Sequence, residues 1–230
     1  TTGDPAVRRF AMALGTINTY TRPSGDLDAA WLLAHFQRVM FAKDYVGYMS
    51  GGWRSMYDVF IDELASNGGT LITGTRIERL EVDGSRVVAA VTADARYEAD
   101  AFVCTLPPQD APALAPDGSP LRTEMQQWED LVDARALCMD LGLSRKVRDN
   151  LALVFDIERD LYYSIHSFTT PDLAPAAGQL LHAMAYLSPE EAADEKLLAR
   201  RKEELVTGLD LHFPGWRDAI AVERTMPAAR

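Results

Sequence analysis

The sequence predicts an α+β fold, in which a mixed β-sheet with flanking helices is accompanied by a short β-meander. Helical segments with apolar residues at spacings of three and four alternate with short runs rich in Val, Ile and Tyr. Clusters of glycine and proline mark the turns between these segments. The 230 residues are 47% hydrophobic and 25% charged, so the chain can bury a sizeable core.

Two helices are predicted before residue 45. Asp4-Pro5 can cap and begin the first, which should run to about Thr21. Asp26 or Asp28 caps the second, which contains Trp31, Leu32, Leu33, Phe36, Val39, Met40 and Phe41. Because this second helix is apolar on nearly every side, we expect it to be buried or to line a cavity.

The segment from Tyr45 to Pro108 has the most informative pattern. Gly51-Gly52 opens an amphipathic helix over about 52–66, and Gly68-Gly69 follows it where a left-handed C-terminal cap is expected. Further along, Asp83-Gly84 is a strong hairpin signal. The strands predicted in this segment cover 70–72, 75–82, 86–92 and the apolar run Ala101 to Cys104, which should be a buried strand.

The remaining chain continues the alternation. A loop to Pro120 and a short helix over 121–131 precede strands over 134–143, 151–157, 161–168, 179–187 and 219–225. Ser188-Pro189-Glu190-Glu191 is a capping box that opens one helix to about Leu209, and the charges of this helix, Arg200 to Lys202 included, predict a solvated face. On strand 161–168, Tyr163 and Ile165 should face away from Tyr162 and Ser164.

Several side chains are candidates for a cavity lining, and each has packing as an alternative explanation. They are His35, His166 and His182, and an aromatic cage of Tyr48, Tyr162, Tyr163 and Tyr186. Ser164 and His166 share a strand face, but no acidic partner in a nucleophile motif accompanies them, so a hydrolase triad is disfavoured. No residue is assigned as catalytic.

Composition and charge exclude several classes of protein. The balance of 23 Lys plus Arg against 34 Asp plus Glu gives a net charge of −11, which disfavours nucleic-acid binding. No apolar run approaches the roughly 20 residues of a membrane-spanning helix, and no signal peptide is visible. Cys104 and Cys138 occur without clustered His or Cys, so neither a disulfide framework nor a metal site is expected. A reducing cytoplasm is the expected location.

Three motifs follow one another in an informative order. They are Met49-Ser50-Gly51-Gly52, Arg76-Ile77-Glu78-Arg79-Leu80 and the strand from Ala99 to Pro107. In this order they resemble the FAD-dependent amine oxidase and phytoene desaturase superfamily, with Met49 where that superfamily usually has proline. The resemblance implies that the backbone of Ile77 pairs with the adenine ring of FAD. It also implies that Thr105, Leu106 and Pro107 pass near the dinucleotide, and that Gly51 and Gly52 let a helix N-terminus approach the flavin.

The superfamily also begins with a strand and a Gly-x-Gly-x-x-Gly motif, which this sequence lacks. We therefore expect an internal piece of a longer flavoprotein, which by itself binds FAD weakly or not at all. The resemblance implies three parts: residues 1–44 and 108–230 belong to a substrate domain, and residues 45–107 to a partial FAD-binding domain.

The resemblance implies an FAD-dependent oxidoreductase whose intact form transfers hydride from an apolar or amine-bearing small molecule to FAD. This chain would be its substrate-binding portion, and by itself inactive. The alternative is a non-catalytic carrier, because the same superfamily includes GDP-dissociation inhibitors that bind prenylated GTPases. Substrate identity and oligomeric state stay open at this point.

Overall fold

The computed structural model describes residues 3–20, 28–41, 47–128, 131 and 134–226. The chain divides into two compact units: unit 1 comprises Thr1–Phe60 and Asp133–Arg230, and unit 2 comprises Ile61–Val132. The α+β class predicted from the sequence is confirmed, since helices and two antiparallel sheets make up the described residues. The division of the intact protein into substrate and FAD-binding parts stays a prediction.

The helices of the described residues are α1 (Pro5–Thr19), α2 (Ala29–Phe41), α3 (Trp53–Ser66), α4 (Pro120–Gln126), α5 (His166–Thr169), α6 (Pro189–Ala193), α7 (Glu195–His212) and α8 (Trp216–Ala219). The strands are β1 (Arg79–Asp83), β2 (Arg86–Val91), β3 (Arg96–Glu98), β4 (Arg135–Leu143), β5 (Leu153–Asp156), β6 (Leu161–Ile165), β7 (Gln179–Leu187) and β8 (Ile220–Met226).

Unit 1 is built on a five-stranded sheet of order β5-β6-β7-β4-β8. Every pairing in this sheet is antiparallel, so the mixed sheet predicted from the sequence is in fact an antiparallel one. Strands β5, β6 and β7 follow one another in sequence and pair directly, whereas β4 and β5 have two other strands between them and β7 connects to β8 through α6, α7 and α8.

One face of this sheet forms the core of unit 1. The odd-numbered residues of β6 and β7, and those of β4 from Leu137 onward, are buried there, as the alternation of side chains in a strand requires. Helix α7 covers this face with Leu205 and Leu209, and the hydroxyl of Tyr163 donates a hydrogen bond of 3.0 Å to the carbonyl of Leu205. The predicted opposition of Tyr163 and Tyr162 is therefore confirmed, with Tyr163 in the core.

The single helix predicted over 188–209 is two helices. The capping box is present, because Ser188 accepts from the amide of Glu191 and the Glu191 carboxylate accepts from the amide of Ser188. The first helix then ends at Asp194, whose extended backbone and carboxylate cap α7 by accepting from the amides of Lys196 and Leu197. Asp194 lies six positions after Ser188 and is a second capping residue. Its carboxylate satisfies the first amides of a new helix, so the chain forms two capped helices instead of one continuous helix.

The sequence pattern predicted that the charged segment of α7 is a solvated face, but one of its charged side chains is buried. Arg201 is buried, and its guanidinium donates to the carbonyls of Arg159, Asp160 and Tyr186. A guanidinium offers five donors in a fixed fork, so one arginine can satisfy several carbonyls of a turn at once. Arg201 thereby ties α7 to the turn before β6.

Unit 2 contains the predicted meander. Strands β1, β2 and β3 pair in this order, and the hairpin between β1 and β2 turns at Gly84, whose φ is +61°. Helix α3 ends as predicted, with Gly68 at φ +78° and the amide of Gly69 donating to the carbonyl of Leu64 at 2.8 Å.

Two predicted strands of unit 2 are wrong. Residues 70–72 and the run Ala101 to Cys104 have no regular secondary structure and belong to no sheet, and most of these side chains are exposed. An extended segment becomes a strand only when a neighbour takes up its N–H and C=O groups. In the described part of unit 2 only β1, β2 and β3 pair with one another, so these two runs have no such neighbour.

Helix α2 was expected to be buried or to line a cavity, and the first of these alternatives is wrong for the described residues. None of its residues is buried, and Phe41 is 84% exposed. The apolar side chains of α3 are also exposed, as Trp53, Tyr57 and Phe60 show. An apolar composition means that a helix can pack against an apolar surface, but the helix is buried only where such a partner surface covers it. No helix of the described residues combines the length and apolarity that crossing a bilayer demands.

Candidate active site

The second face of the five-stranded sheet carries a row of residues that crosses all five strands and is polar on four of them, β8, β4, β7 and β6. Directly opposite Cα partners place Arg224 beside Asp140, Asp140 beside His182, His182 beside Ser164 and Ser164 beside Leu153. Side chains of directly opposed residues point to the same face and lie within contact distance. The sheet therefore collects residues from five separate segments into one line.

Asp140 and His182 form the closest pair of this row. The Nδ1 atom of His182 lies 2.5 Å from Oδ1 of Asp140. A carboxylate accepts only, so Nδ1 carries the proton in this pair and Nε2 of neutral His182 is an acceptor. No described group of three or more His, Cys, Asp or Glu side chains is arranged to hold a metal ion.

His166 stacks on both His182 and Tyr48. Its ring centroid lies 5.4 Å from that of His182 and 3.9 Å from that of Tyr48. Burial, and then the proximity of His182, lower the pKa of His166 to about 4, although Asp140 acts in the opposite direction. His166 is therefore a neutral ring at physiological pH.

Tyr48 reaches the sheet from the segment before α3. Its hydroxyl shares a hydrogen bond of 2.6 Å with the hydroxyl of Ser164, and its carbonyl accepts from Thr170 at 3.0 Å. Ser164 is thus engaged with a tyrosine, and the structure gives it no imidazole partner among the described residues.

A less polar row lies beside the polar one. Direct Cα partners in this row are Phe155, Tyr162, Met184, Cys138 and Met226. Burial is the main cause that raises the pKa of Tyr162 to about 12, and burial together with Asp140 raises the pKa of the Cys138 thiol. These groups are therefore uncharged at neutral pH, and the face combines one ionisable line with an aromatic and thioether surface.

The glycine pair before α3 has the left-handed backbone that glycine permits. Gly51 and Gly52 have φ angles of +75° and +74°. The carboxylate of Asp172 accepts a hydrogen bond of 2.9 Å from the amide of Gly51 and a second one from the hydroxyl of Ser50. These two hydrogen bonds lower the pKa of Asp172 and fix the turn against the segment after α5.

The glycine turn, Tyr48 and His166 border one cavity of about 160 Å³. Its lining residues are Gly47, Tyr48, Met49, Gly52, Trp53, His166, Leu173 and Leu180. A Cβ at Gly52 would lie 3.7 Å from Leu173, in the direction of this cavity wall. Glycine at this position therefore keeps open a space that any other residue would enter.

The other sequence-predicted cofactor residues belong to unit 2. Ile77 is half-buried just before β1, where the amide of Glu78 donates to the carbonyl of Val91. Thr105, Leu106 and Pro107 are exposed in an irregular segment that bends at Leu106, and the carbonyl of Pro107 accepts from the amides of Asp110 and Ala111. The roles of all six residues, Gly51 and Gly52 included, stay predictions.

The structure shows where the other candidate side chains lie. Tyr163 is in the core and cannot contribute to an aromatic cage, because its hydroxyl faces α7. His35 stacks on Trp31 along α2, at a centroid distance of 5.1 Å. Asp140 was missed by the sequence reasoning; the available signal was a single acidic residue inside the otherwise apolar strand ARALCMDLGL.

Comparisons with known proteins agree with this geometry. An oxidoreductase from Methanosarcina mazei superposes with a TM-score of 0.82 at 16% identity, covering 98% of this chain and 54% of the other. Cyclohexylamine oxidase from Brevibacterium oxydans superposes with a TM-score of 0.63 at 14% identity, covering 98% and 51%. Reduced UDP-galactopyranose mutase gives a TM-score of 0.52 at 10% identity, covering 86% and 45%.

The fold is therefore one found in oxidoreductases. The model of the flavin-containing amine oxidoreductases matches residues 4–222, and the chain belongs to this family. It spans about half the length of the solved structures it matches. No curated protein matches it.

The residues present fit a flavin in one respect that the structure itself shows. The cavity beside Gly52 is kept open by the missing side chain, and it lies at the N-terminal end of α3, a helix of 14 residues. Helix N-termini present amide donors and a positive dipole end to anionic or electron-rich groups. Gly51, Gly52 and the first turn of α3 are the residues of unit 1 that would approach the cofactor.

Proposed function

We propose that this chain is the substrate-binding part of an FAD-dependent oxidoreductase that removes a hydride from an amine-bearing or apolar small molecule. The cavity that joins Gly52 to Tyr48 and His166 carries this proposal, because it places the predicted flavin-side turn beside His166, whose ring stacks on His182 of the polar row. Membership of the flavin-containing amine oxidoreductases supports the same assignment.

The flavin would supply the two-electron acceptor for the hydride. The residues of this chain would bind and orient the substrate. Tyr162, Met184 and Phe155 offer an aromatic and thioether surface for an apolar body. His182 and Tyr48 offer hydrogen-bonding groups for a polar end. A surface with both properties suits a small molecule that carries one polar group on an apolar frame.

The test is the absorption spectrum of the purified intact protein, followed by anaerobic addition of cyclohexylamine, benzylamine and a fatty amine as probes. We expect a flavin band that bleaches when a substrate delivers its hydride. Absence of a flavin band in the intact protein, together with affinity for a prenylated peptide, would instead support the carrier hypothesis and overturn this proposal.

A second test compares the FAD affinity of the 230-residue chain with that of the intact protein. Gly51, Gly52, Ile77 and Thr105 to Pro107 are the residues through which we expect it to contact FAD. We expect its affinity for FAD, measured by fluorescence quenching, to be at least about 100-fold weaker than that of the intact protein, because part of the binding energy comes from groups outside it.

A further inference from the structure

The Asp140–His182 pair has a chemical capacity that the proposed function does not by itself require. The pair lies in the middle of the polar row, with β7 carrying the imidazole and β4 the carboxylate. Both residues stand on the central strands of the sheet, where the backbone hydrogen bonds on either side hold them in register. The rotamer of His182 is therefore set by a rigid scaffold and by a 2.5 Å hydrogen bond.

The two ring nitrogens of His182 have different roles in this arrangement. Nδ1 is committed to Asp140, and no described residue forms a hydrogen bond to Nε2. The side chain of His182 is 18% exposed and that of Asp140 is 36% exposed, so the pair is reachable from the open face of the sheet. A carboxylate on Nδ1 stabilises the imidazolium that forms when Nε2 takes up a proton.

We propose that Nε2 of His182 accepts a proton from the substrate during its oxidation, and that Asp140 is the positioning residue that holds His182 in the accepting tautomer. The inference rests on the proposed function and narrows its substrate class. The substrate must carry an N–H or O–H on the carbon that is oxidised, so that a plain hydrocarbon is excluded.

The step balances as follows for an amine. The carbon loses a hydride, with its two electrons, to the flavin, and the nitrogen loses a proton to Nε2 of His182. A C=N bond forms from the remaining electron pair of the N–H bond. Neutral amine, flavin and neutral imidazole become imine, reduced flavin and imidazolium, and the imidazolium later returns its proton to water.

Several titratable or charged groups surround His182. The titratable or charged groups that face it are Asp140 and Cys138 from β4, Arg224 from β8, Tyr162 from β6, His166 from α5 and Tyr48 from the segment before α3. The low pKa of His166 keeps that ring neutral. Of the two stacked imidazoles, His182 is the one hydrogen-bonded to a carboxylate, that of Asp140.

The first experiment measures flavin reduction by stopped flow in the intact protein, with the amine that bleaches the flavin fastest. We expect His182→Gln to lower the rate constant at pH 8 by about 100-fold, as loss of a general base does. Asp140→Asn should lower it about tenfold and displace the rising limb of the pH–rate profile to lower pH, because the imidazolium loses its counter-ion. The control His35→Gln removes a histidine of α2 and should stay within twofold of the wild type.

The second experiment needs neither turnover nor a variant of His182. Long-range ¹H–¹⁵N spectra of histidine-labelled intact protein report the tautomer of each ring, and His35→Gln, His166→Gln and His212→Gln assign the signals. We expect His182 to be protonated on Nδ1 at pH 8, and this signature should weaken in Asp140→Asn. An Nε2–H tautomer of His182 would overturn the inference. Because the tautomer is measured without turnover, this experiment tests the inference even if none of the probe amines reduces the flavin.

Failure of the inference and failure of the proposed function are distinguishable. A protein without a flavin band contradicts both. A flavin that is reduced by an unsaturated hydrocarbon but by no amine or alcohol contradicts the inference alone. An unchanged rate and pH profile in a folded His182→Gln variant does the same.

Discussion

His166 is a neutral ring because its surroundings penalise the imidazolium. It lies half-buried between Tyr48 and His182, and burial is the first cause of a pKa near 4. The unfolded chain would bind a proton at about pH 6.5. Between these two values the unfolded state binds more protons than the folded state, so the free energy of unfolding rises with pH.

This difference predicts an acid-sensitive stability. As the pH falls from about 6.5 towards 4, His166 should cost the folded state about 1–2 kcal/mol, a figure reduced because the ring is partly solvated. His166→Phe keeps an aromatic ring and should remove that part of the loss. Urea titrations at pH 7 and pH 4.5 measure the effect, with His35→Phe as the control. Parallel pH curves for wild type and His166→Phe would contradict it.

Gly52 combines a left-handed backbone with a position on the cavity wall. Gly52→Ala should cost about 1 kcal/mol of stability, because φ is +74° and an L residue is strained there. Its Cβ should also reduce the affinity of the intact protein for FAD. Gly68→Ala is the matched control, since Gly68 has φ +78° and open space around the missing Cβ. Equal FAD affinity in the two variants would argue against a flavin near Gly52.

At the scale of elements, the packing of α7 on β6 depends on one glycine. A Cβ at Gly208 would overlap the hydroxyl of Tyr163 and lie 2.9 Å from its Cζ. The glycine therefore lets the helix approach the sheet closely enough for Tyr163 to reach the carbonyl of Leu205. The tyrosine hydroxyl stabilises the same contact that the glycine makes possible.

We expect Gly208→Ala to lower the free energy of unfolding by about 2 kcal/mol, as overpacking of a full core does. In a Tyr163→Phe background the same change should cost less, because the overlapping hydroxyl is gone. A double-mutant cycle from urea denaturation measures this coupling. Gly142→Ala is the control, since its Cβ would lie 3.5 Å from the side chain of Val222, an ordinary contact. Strict additivity of the two changes would show that the contact is not formed.

At the scale of the whole molecule, the two units differ in how much apolar surface they bury. The core of unit 1 contains sixteen buried residues in one cluster, from Leu137 to Ala219. Buried apolar side chains in the described part of unit 2 are Leu80, Ala89, Ala111 and Ala115. Burial of apolar area is the main stabilising term, so unit 1 should resist opening more strongly.

Amide hydrogen exchange of the 230-residue chain should show this difference directly. We expect the amides of β4 and β7 to be the most protected, and those of β1, β2 and β3 to exchange at least about tenfold faster. Peptide-resolved mass spectrometry separates the two groups. Equal protection in both sheets would mean that the units open together.

The elements of the chain were predictable from sequence wherever a local rule decides them. The caps at Asp4, Ser188 and Gly68 and the hairpin at Gly84 lie where predicted, because capping and turn chemistry act over a few residues. The second cap at Asp194 obeyed the same rule but was overlooked. Pattern alone failed for α2 and for the runs 70–72 and 101–104, because burial and strand pairing depend on partners far away in the sequence.

Of the candidate site, the sequence by itself determined the glycine turn, the alternation along β6 and the resemblance that led to the flavin family. Only the tertiary structure decided that Asp140 is the partner of His182, that Ser164 binds Tyr48, and that Tyr163 is a core residue. Each of these depends on the register between strands that are distant in sequence. Register is a property of the assembled sheet, set when the whole apolar face of unit 1 packs against α7.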